Sequence, residues 1–188
     1  VAIQRAHEIA VRMAEDAAQA MTLAMGLTHK YDSRAMEQVL ALEDSTDRYE
    51  DALGTYLVKL SGIQLTVADN RILNTLLYTV SDIERVADHA VAVGRAALEM
   101  EEKKIHFSRQ AQAELDVLER AVSDILSRTV DAYRGFDRNL AMKIEPQEQV
   151  VDALVREVKS RHIRRLRDGL CSVEYGFVLE DLLTAFER

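Results

Sequence analysis

Acidic residues spaced four apart recur in this sequence as Glu43 with Asp47, Glu84 with Asp88 and Glu148 with Asp152. Residues at i and i+4 share one face of a helix, so each pair would present two carboxylates side by side. Clustered carboxylate oxygens are hard donors suited to Fe, Mn, Mg, Ca or Zn. The chain holds 32 acidic residues among 188, so the spacing alone carries little weight. Position carries more. Counting 36, 40, 43, 47, 50, 54, 57 places Glu43 and Asp47 in slots of an apolar stripe, between Met36/Leu40 and Leu57. Glu148 falls between Ile144 and Val151/Val155, while Glu84 and Asp88 flank Leu77, Val80 and Val91. Charge on a core-facing edge is costly unless it is paired or holds a cation. Two readings stay open at this point: inward-facing cation sites, or solvated acids partnered by Arg48, Arg85 or Arg156. His89, next to Asp88, is a candidate ligand or orienting donor, or simply a satisfied bundle residue.

The elements that must carry these residues are helices. With 7 Gly, 1 Pro and no Trp in 188 residues, turn punctuation is too sparse for a sandwich or barrel. Apolar spacing predicts six helical segments: Val1 to about Gly26; Asp32 or Ser33 to a C-cap at Gly62; a long helix to Glu102, with Asp69 or Asn70 capping or breaking its start; Ser108 to Gly135; Asp137 to Gly169, kinked or restarted at Pro146; and a last one after Ser172. The fold class is therefore all-α. Tyr31-Asp32 is echoed by Phe136-Asp137, Glu43 by Glu148 and Asp47 by Asp152; Leu76 is echoed by Leu179, Ile83 by Phe186 and Glu84 by Glu187. These matches predict two tandem three-helix bundles, 1–105 and 106–188, the second incomplete.

Asp82-Ile83-Glu84-Arg85-Val86-Ala87-Asp88-His89-Ala90 resembles the helix signature D-[LI]-E-R-[IV]-[GA]-D-H-A of the PhoU family of phosphate-uptake regulators, and Glu43–Asp47 and Glu148–Asp152 resemble that family's other acidic motif. The resemblance covers essentially the whole chain as two repeats. It implies a metal site in each unit, holding iron, zinc or a similar divalent ion: Glu43, Asp47, Glu84 and Asp88 in the first, and Glu148, Asp152 and Glu187 in the second. Ala87 stands where Gly is frequent and Ala92 where Asn often follows, and the second signature stops at Glu187-Arg188. PhoU-like units also occur as the cytoplasmic C-terminal domain of bacterial sodium/phosphate cotransporters. A chain that begins at Val1, with the charged connection Glu99–Lys104, resembles that setting. The resemblance thus implies a regulatory domain at the cytoplasmic face of the membrane, controlling phosphate uptake. Its partner would be a phosphate transporter's membrane domain or transporter complex, with a second copy of the chain a further candidate. The alternative is a free-standing PhoU-type phosphate-signalling regulator.

Enzymatic activity is not expected, since the sequence offers no glycine-rich phosphate loop, nucleophile elbow or arguable Ser/His/Asp ordering. A ferritin-like carboxylate oxidase needs Glu-x-x-His, and His89 lies five residues after Glu84, off that spacing. A net charge of -8 opposes nucleic-acid binding. The basic run Lys159, Arg161, Arg164, Arg165 and Arg167 around His162 reads as a solvated helix face, or as a contact for phosphate, anionic headgroups or an acidic partner. The single cysteine, Cys171, excludes an internal disulfide. No stretch approaches the length of a membrane span.

Overall fold

The computed structural model describes residues 2–188, and all of its regular elements are helices: α1 (Ala2–His29), α2 (Ser33–Ser61), α3 (Val67–Lys103), α4 (Arg109–Gly135), α5 (Arg138–Ala141), α6 (Ile144–Arg167) and α7 (Val173–Glu187). Six long helices fall where the apolar spacing predicts them, with α5 as an added single turn. Among the described residues no helix is long and apolar enough to cross a membrane.

Local chemistry explains most boundaries. Asp32 caps α2, its carboxylate accepting from the backbone N–H groups of Arg34 and Ala35. Ser108 caps α4 through the N–H of Ala111. At the start of α3 the cap is Thr66, whose hydroxyl oxygen accepts from the Asp69 N–H at 3.1 Å and whose proton goes to the Asp69 carboxylate at 2.8 Å. Asp69 therefore sits inside the first turn and takes part in a reciprocal cap with Thr66, which decides for capping between the two roles, capping or breaking the start, that the sequence left open for it and Asn70. Gly62 does follow α2, yet with φ of −84° it needs none of glycine's freedom. Pro146 restarts the chain instead of kinking it. As the third residue of α6 it occupies the first turn, where its missing N–H would have had no helical acceptor.

Helices α1, α2 and α3 pack against one another as a bundle; α4 packs on α1 and α6, and α7 lies across α3 and α6. One core, built of Leu53, Leu57, Leu60, Leu73, Leu76 and Val80 with Ile3, Ala6, Ala10 and Met13, lies within the first three helices. The larger core joins Ala20, Ala24, Val39, Ala90, Val93 and Ala97 to Leu115, Leu118, Val155, Leu182 and Leu183, so residues on both sides of position 105 share it. The many alanines along α1 and α3 let these helices approach closely. At Gly94 the approach is tightest: a Cβ there would lie 2.5 Å from the Met36 sulfur. Gly94→Ala is expected to change stability by no more than about 1 kcal/mol, because the flexible end of Met36 can shift and alanine's helix propensity offsets part of the cost, whereas Gly94→Leu, which Met36 cannot clear, should cost about 1–3 kcal/mol. Urea denaturation of the two variants checks this.

Candidate functional site

The carboxylates are brought together at the seam between α2 and α3, although not by the inward turn that the stripe suggests. Along α2 the buried residues are Met36, Val39, Thr46, Leu53, Leu57 and Leu60, with Thr46 occupying the core slot between Glu43 and Asp47. A threonine can go inside because its hydroxyl is satisfied locally, donating to the Glu43 carbonyl at 2.8 Å. The helix is thereby rotated so that Glu43 is half-buried and Asp47 exposed, and Leu40 faces solvent. On α3 the core line runs through Leu76, Val80, Ala87 and Ala90, leaving Glu84 half-buried and Asp88 exposed at its edge. The acids form the rim of a seam rather than an intrusion into the core.

Crowding at this rim is severe. One oxygen each from Asp47, Glu50 and Glu84 lies within 4.8 Å of the other two. Burial, reinforced by the negative charges of Asp88, Glu50 and Asp47, pushes the Glu84 carboxyl up to about 7. Glu43 is raised for the same reasons, burial first and then Asp88 and Asp47. Glu50 is a member that the paired spacing misses; it lies seven residues after Glu43 and three after Asp47, so it shares their face, and it accepts a hydrogen bond from Ser81 of α3. On the opposite face of α2 the Ser45 hydroxyl donates to Asp16 of α1 at 3.5 Å, and burial raises the Asp16 carboxyl. The donor set fits a hard divalent cation: oxygens of Asp47, Glu50 and Glu84 converge, burial and then the neighbouring negative charges raise the Glu84 carboxyl, and no basic group forms an ion pair with Glu84 or Asp88 among the described residues. Arg48 and Arg85, the partners of the solvated-acid reading, bind Asp44 and Asp82 instead, at 2.6 and 3.7 Å.

The second set occupies a separate place. Glu148, Asp152 and Glu187 line one cavity with Val86, Val122, Ile125 and His89, between α3, α4, α6 and α7. His89 thus lines this second cavity even though it follows Asp88 in sequence. Its ring is held below the usual histidine value, by burial first and then by Arg85, which disfavours protonation and leaves a ring nitrogen free to accept a hydrogen bond or meet a cation.

A PhoU domain model matches residues 10–97, the stretch that carries Glu43, Asp47, Glu50, Glu84 and Asp88. Residues 10–97 belong to the PhoU domain family. The chain is 28% identical over 138 residues to the phosphate-specific transport system accessory protein PhoU of Edwardsiella tarda, which covers 71% of this chain and 54% of that protein. To the PhoU homologue of Pseudomonas aeruginosa it is 27% identical over 130 residues, 69% of this chain and 52% of that one. The chain spans about half the length of these curated relatives that it matches. Its fold is that of the crystal structure of PhoU from Pseudomonas aeruginosa, with a TM-score of 0.91 at 20% identity over 100% of this chain and 89% of that one. PhoU from Streptococcus pneumoniae superimposes with a TM-score of 0.86 at 16% identity, over 99% and 86% of the two chains. The PhoU fold therefore extends past the matched domain, through α4 to α7.

Proposed function

We propose that this chain is a PhoU-type regulator of phosphate transport whose α2–α3 seam binds a divalent metal ion, and that metal occupancy sets the packing its partner reads. The observation that carries the reading is the convergence of Asp47, Glu50 and Glu84 inside the PhoU domain. Asp47, Glu50 and Glu84 would hold the ion, with Glu43 and Asp88 at the edge of the same acidic field. A bound iron or zinc ion would supply positive charge to carboxylates that otherwise repel one another across two helices. Glu148, Asp152 and Glu187 border a cavity of their own without converging as the seam acids do, and Glu187 pairs with Lys159 at 3.8 Å, so a second ion there would have to draw Glu187 from that pair. The relatives' description as accessory proteins of a phosphate-specific transport system supports a PhoU-type regulator acting on a transporter complex, in place of the sodium/phosphate cotransporter domain suggested by the connection Glu99–Lys104.

The test is thermal unfolding of chelator-treated protein with and without iron(II) or zinc, across pH. A carboxyl whose folded value lies above its unfolded value takes up a proton on folding, so its contribution is full below about 4.5 and is lost as pH rises through about 7. Metal-free protein should therefore lose stability over that window, and Glu84→Gln should flatten the loss. A divalent metal at a hundred times its Kd should restore about 2.7 kcal/mol near pH 7.5. Metal affinity should fall below pH 7, where Glu84 must first lose its proton. The same melting curve with and without metal, together with equal binding of the phosphate-transport complex by wild type and Asp47→Asn/Glu84→Gln, would reject the reading.

A further inference from the structure

Away from both acidic sites, the end of α1 meets α4 in a cluster of mixed donors. His29 is the last residue of α1; Asp116 and Glu119 stand one turn apart on α4. The His29 Nε2 lies 2.7 Å from Glu119 Oε2, its Nδ1 lies 3.9 Å from Asp116 Oδ1, and one ligand atom from each of the three falls within 4.8 Å of the others. The Glu119 side chain is only 8% exposed.

A proton count shows that this buried carboxylate is short of donors. The Thr28 hydroxyl lies 2.8 Å from Glu119 Oε1 and also 2.8 Å from the Met25 carbonyl, and it has one proton for two acceptors. The His29 Nε2 faces Glu119 and its Nδ1 lies 3.4 Å from the Gln112 amide, so the ring can give Glu119 one donor. Gln112 meanwhile donates to Asp116 at 2.9 Å, orienting that carboxylate. Glu119 thus has one whole donor and half of another, with no ion pair to Lys or Arg among the described residues. Burial correspondingly raises its carboxyl.

The surroundings favour a cation. The carbonyl end of α1 brings partial negative charge to the cluster. An open cavity bordered by Gly26, His29, Asp116, Glu119, Arg120 and Ser123 gives access for the ion and leaves room for water in its remaining coordination positions; Arg120, the one cation on its wall, makes no ion pair with either carboxylate. One imidazole nitrogen and two carboxylate oxygens form a three-ligand set of the type that zinc accepts with a position left open. Gln112 and Thr28 supply the outer hydrogen bonds that such ligands require.

We propose that His29, Asp116 and Glu119 form a zinc-class divalent-cation site that ties the end of α1 to α4, independent of the α2–α3 seam. Because α1 and α4 lie on opposite sides of position 105, an ion here adds a tie between segments that already share the larger core. The site differs in chemistry from the all-oxygen rim: its nitrogen donor selects zinc, cobalt or nickel over magnesium and calcium.

The experiment uses the full chain carrying Asp47→Asn and Glu84→Gln, so that failure of the seam site does not obscure the outcome. Zinc is titrated calorimetrically into chelator-treated protein while the ring signals of the histidines are followed by NMR. The expected result is zinc uptake that moves the His29 signals, with affinity falling by at least about tenfold in His29→Asn and again in Asp116→Asn. Both positions are partly exposed, so both variants should remain folded; an unchanged helical circular-dichroism spectrum establishes that. His29 signals that stay still at saturating zinc, or zinc affinity unchanged by His29→Asn, would overturn the proposal.

Discussion

Arg165→Ala is expected to destabilise the protein by about 3 kcal/mol, far more than removal of any other arginine in the basic run of α6. Arg165 and Glu114 are 9% and 8% exposed and meet through Arg165 Nη1, 2.9 Å from Oε2 and 3.0 Å from Oε1. The cost arises mainly from what is left behind, a carboxylate in the groove between α4 and α6 without its counterion. Arg161 Nη1, 3.4 Å from Glu114 Oε1, supplies part of the missing charge and holds the loss to the lower end of the range for buried pairs. The Arg165 Nη2 and Glu114 Oε2 atoms make no hydrogen bond, so the pair is imperfect. Glu114→Leu/Arg165→Met should therefore recover most of the stability, because removing both charges also removes the desolvation cost that the geometry only partly offsets. Removing Arg164, which is exposed, should change stability by no more than about 0.5 kcal/mol. Guanidinium denaturation of the three variants distinguishes these outcomes.

This arginine also marks where the sequence stops being informative. Lys159, Arg161, Arg164, Arg165 and Arg167 read as one run, a solvated face or a contact for an anionic group, and Arg164 and Arg167 are indeed exposed. Nothing in the local pattern separates Arg165 from its neighbours, because its burial depends on Glu114, 51 residues earlier. The caps are the opposite case. Asp32 and Ser108 act on N–H groups two or three residues away, so local chemistry suffices to place them. The acidic seam lies between these extremes. Four-residue spacing places Glu43 with Asp47 and Glu84 with Asp88 on common faces, yet the rotation of α2 was hidden in Thr46, a polar residue able to enter the core by bonding to its own helix. Counting apolar residues alone assigns that slot to the carboxylates. Glu50 was within reach of the same counting, one further turn along. His29 with Glu119 was not, since their partnership spans 90 residues and neither carries a local signature.

Leu182→Ala is expected to cost about 2–5 kcal/mol, and its consequences should extend beyond stability. Leu182 is fully buried on α7 and belongs to the core that also contains Ala90, Val93 and Ala97 of α3. Helix α7 is only 15 residues long and has no side-chain hydrogen bond at its N-cap, so its place depends on this apolar face more than on local helix propensity. The alanines opposite it cannot expand into the space that a lost leucine leaves, which argues for a retained cavity and a cost well above simple transfer. Leu57→Ala, in the core confined to the first three helices, should cost a similar amount. The two differ in what moves. Loss of Leu182 loosens α7 against α3, and Glu187 of α7 lines the cavity with Glu148, Asp152 and His89. Hydrogen exchange should therefore rise along α7 in Leu182→Ala while α2 remains protected, and, on the metal reading proposed above, affinity for added zinc should fall at the Glu148 cavity without changing at the Glu84 seam. Leu57→Ala should produce the reverse pattern, loosening α2 and weakening the seam. Equal exchange along α2 and α7 in both variants would mean that the two cores unfold as one unit, and that the two acidic sites cannot be tuned separately through packing.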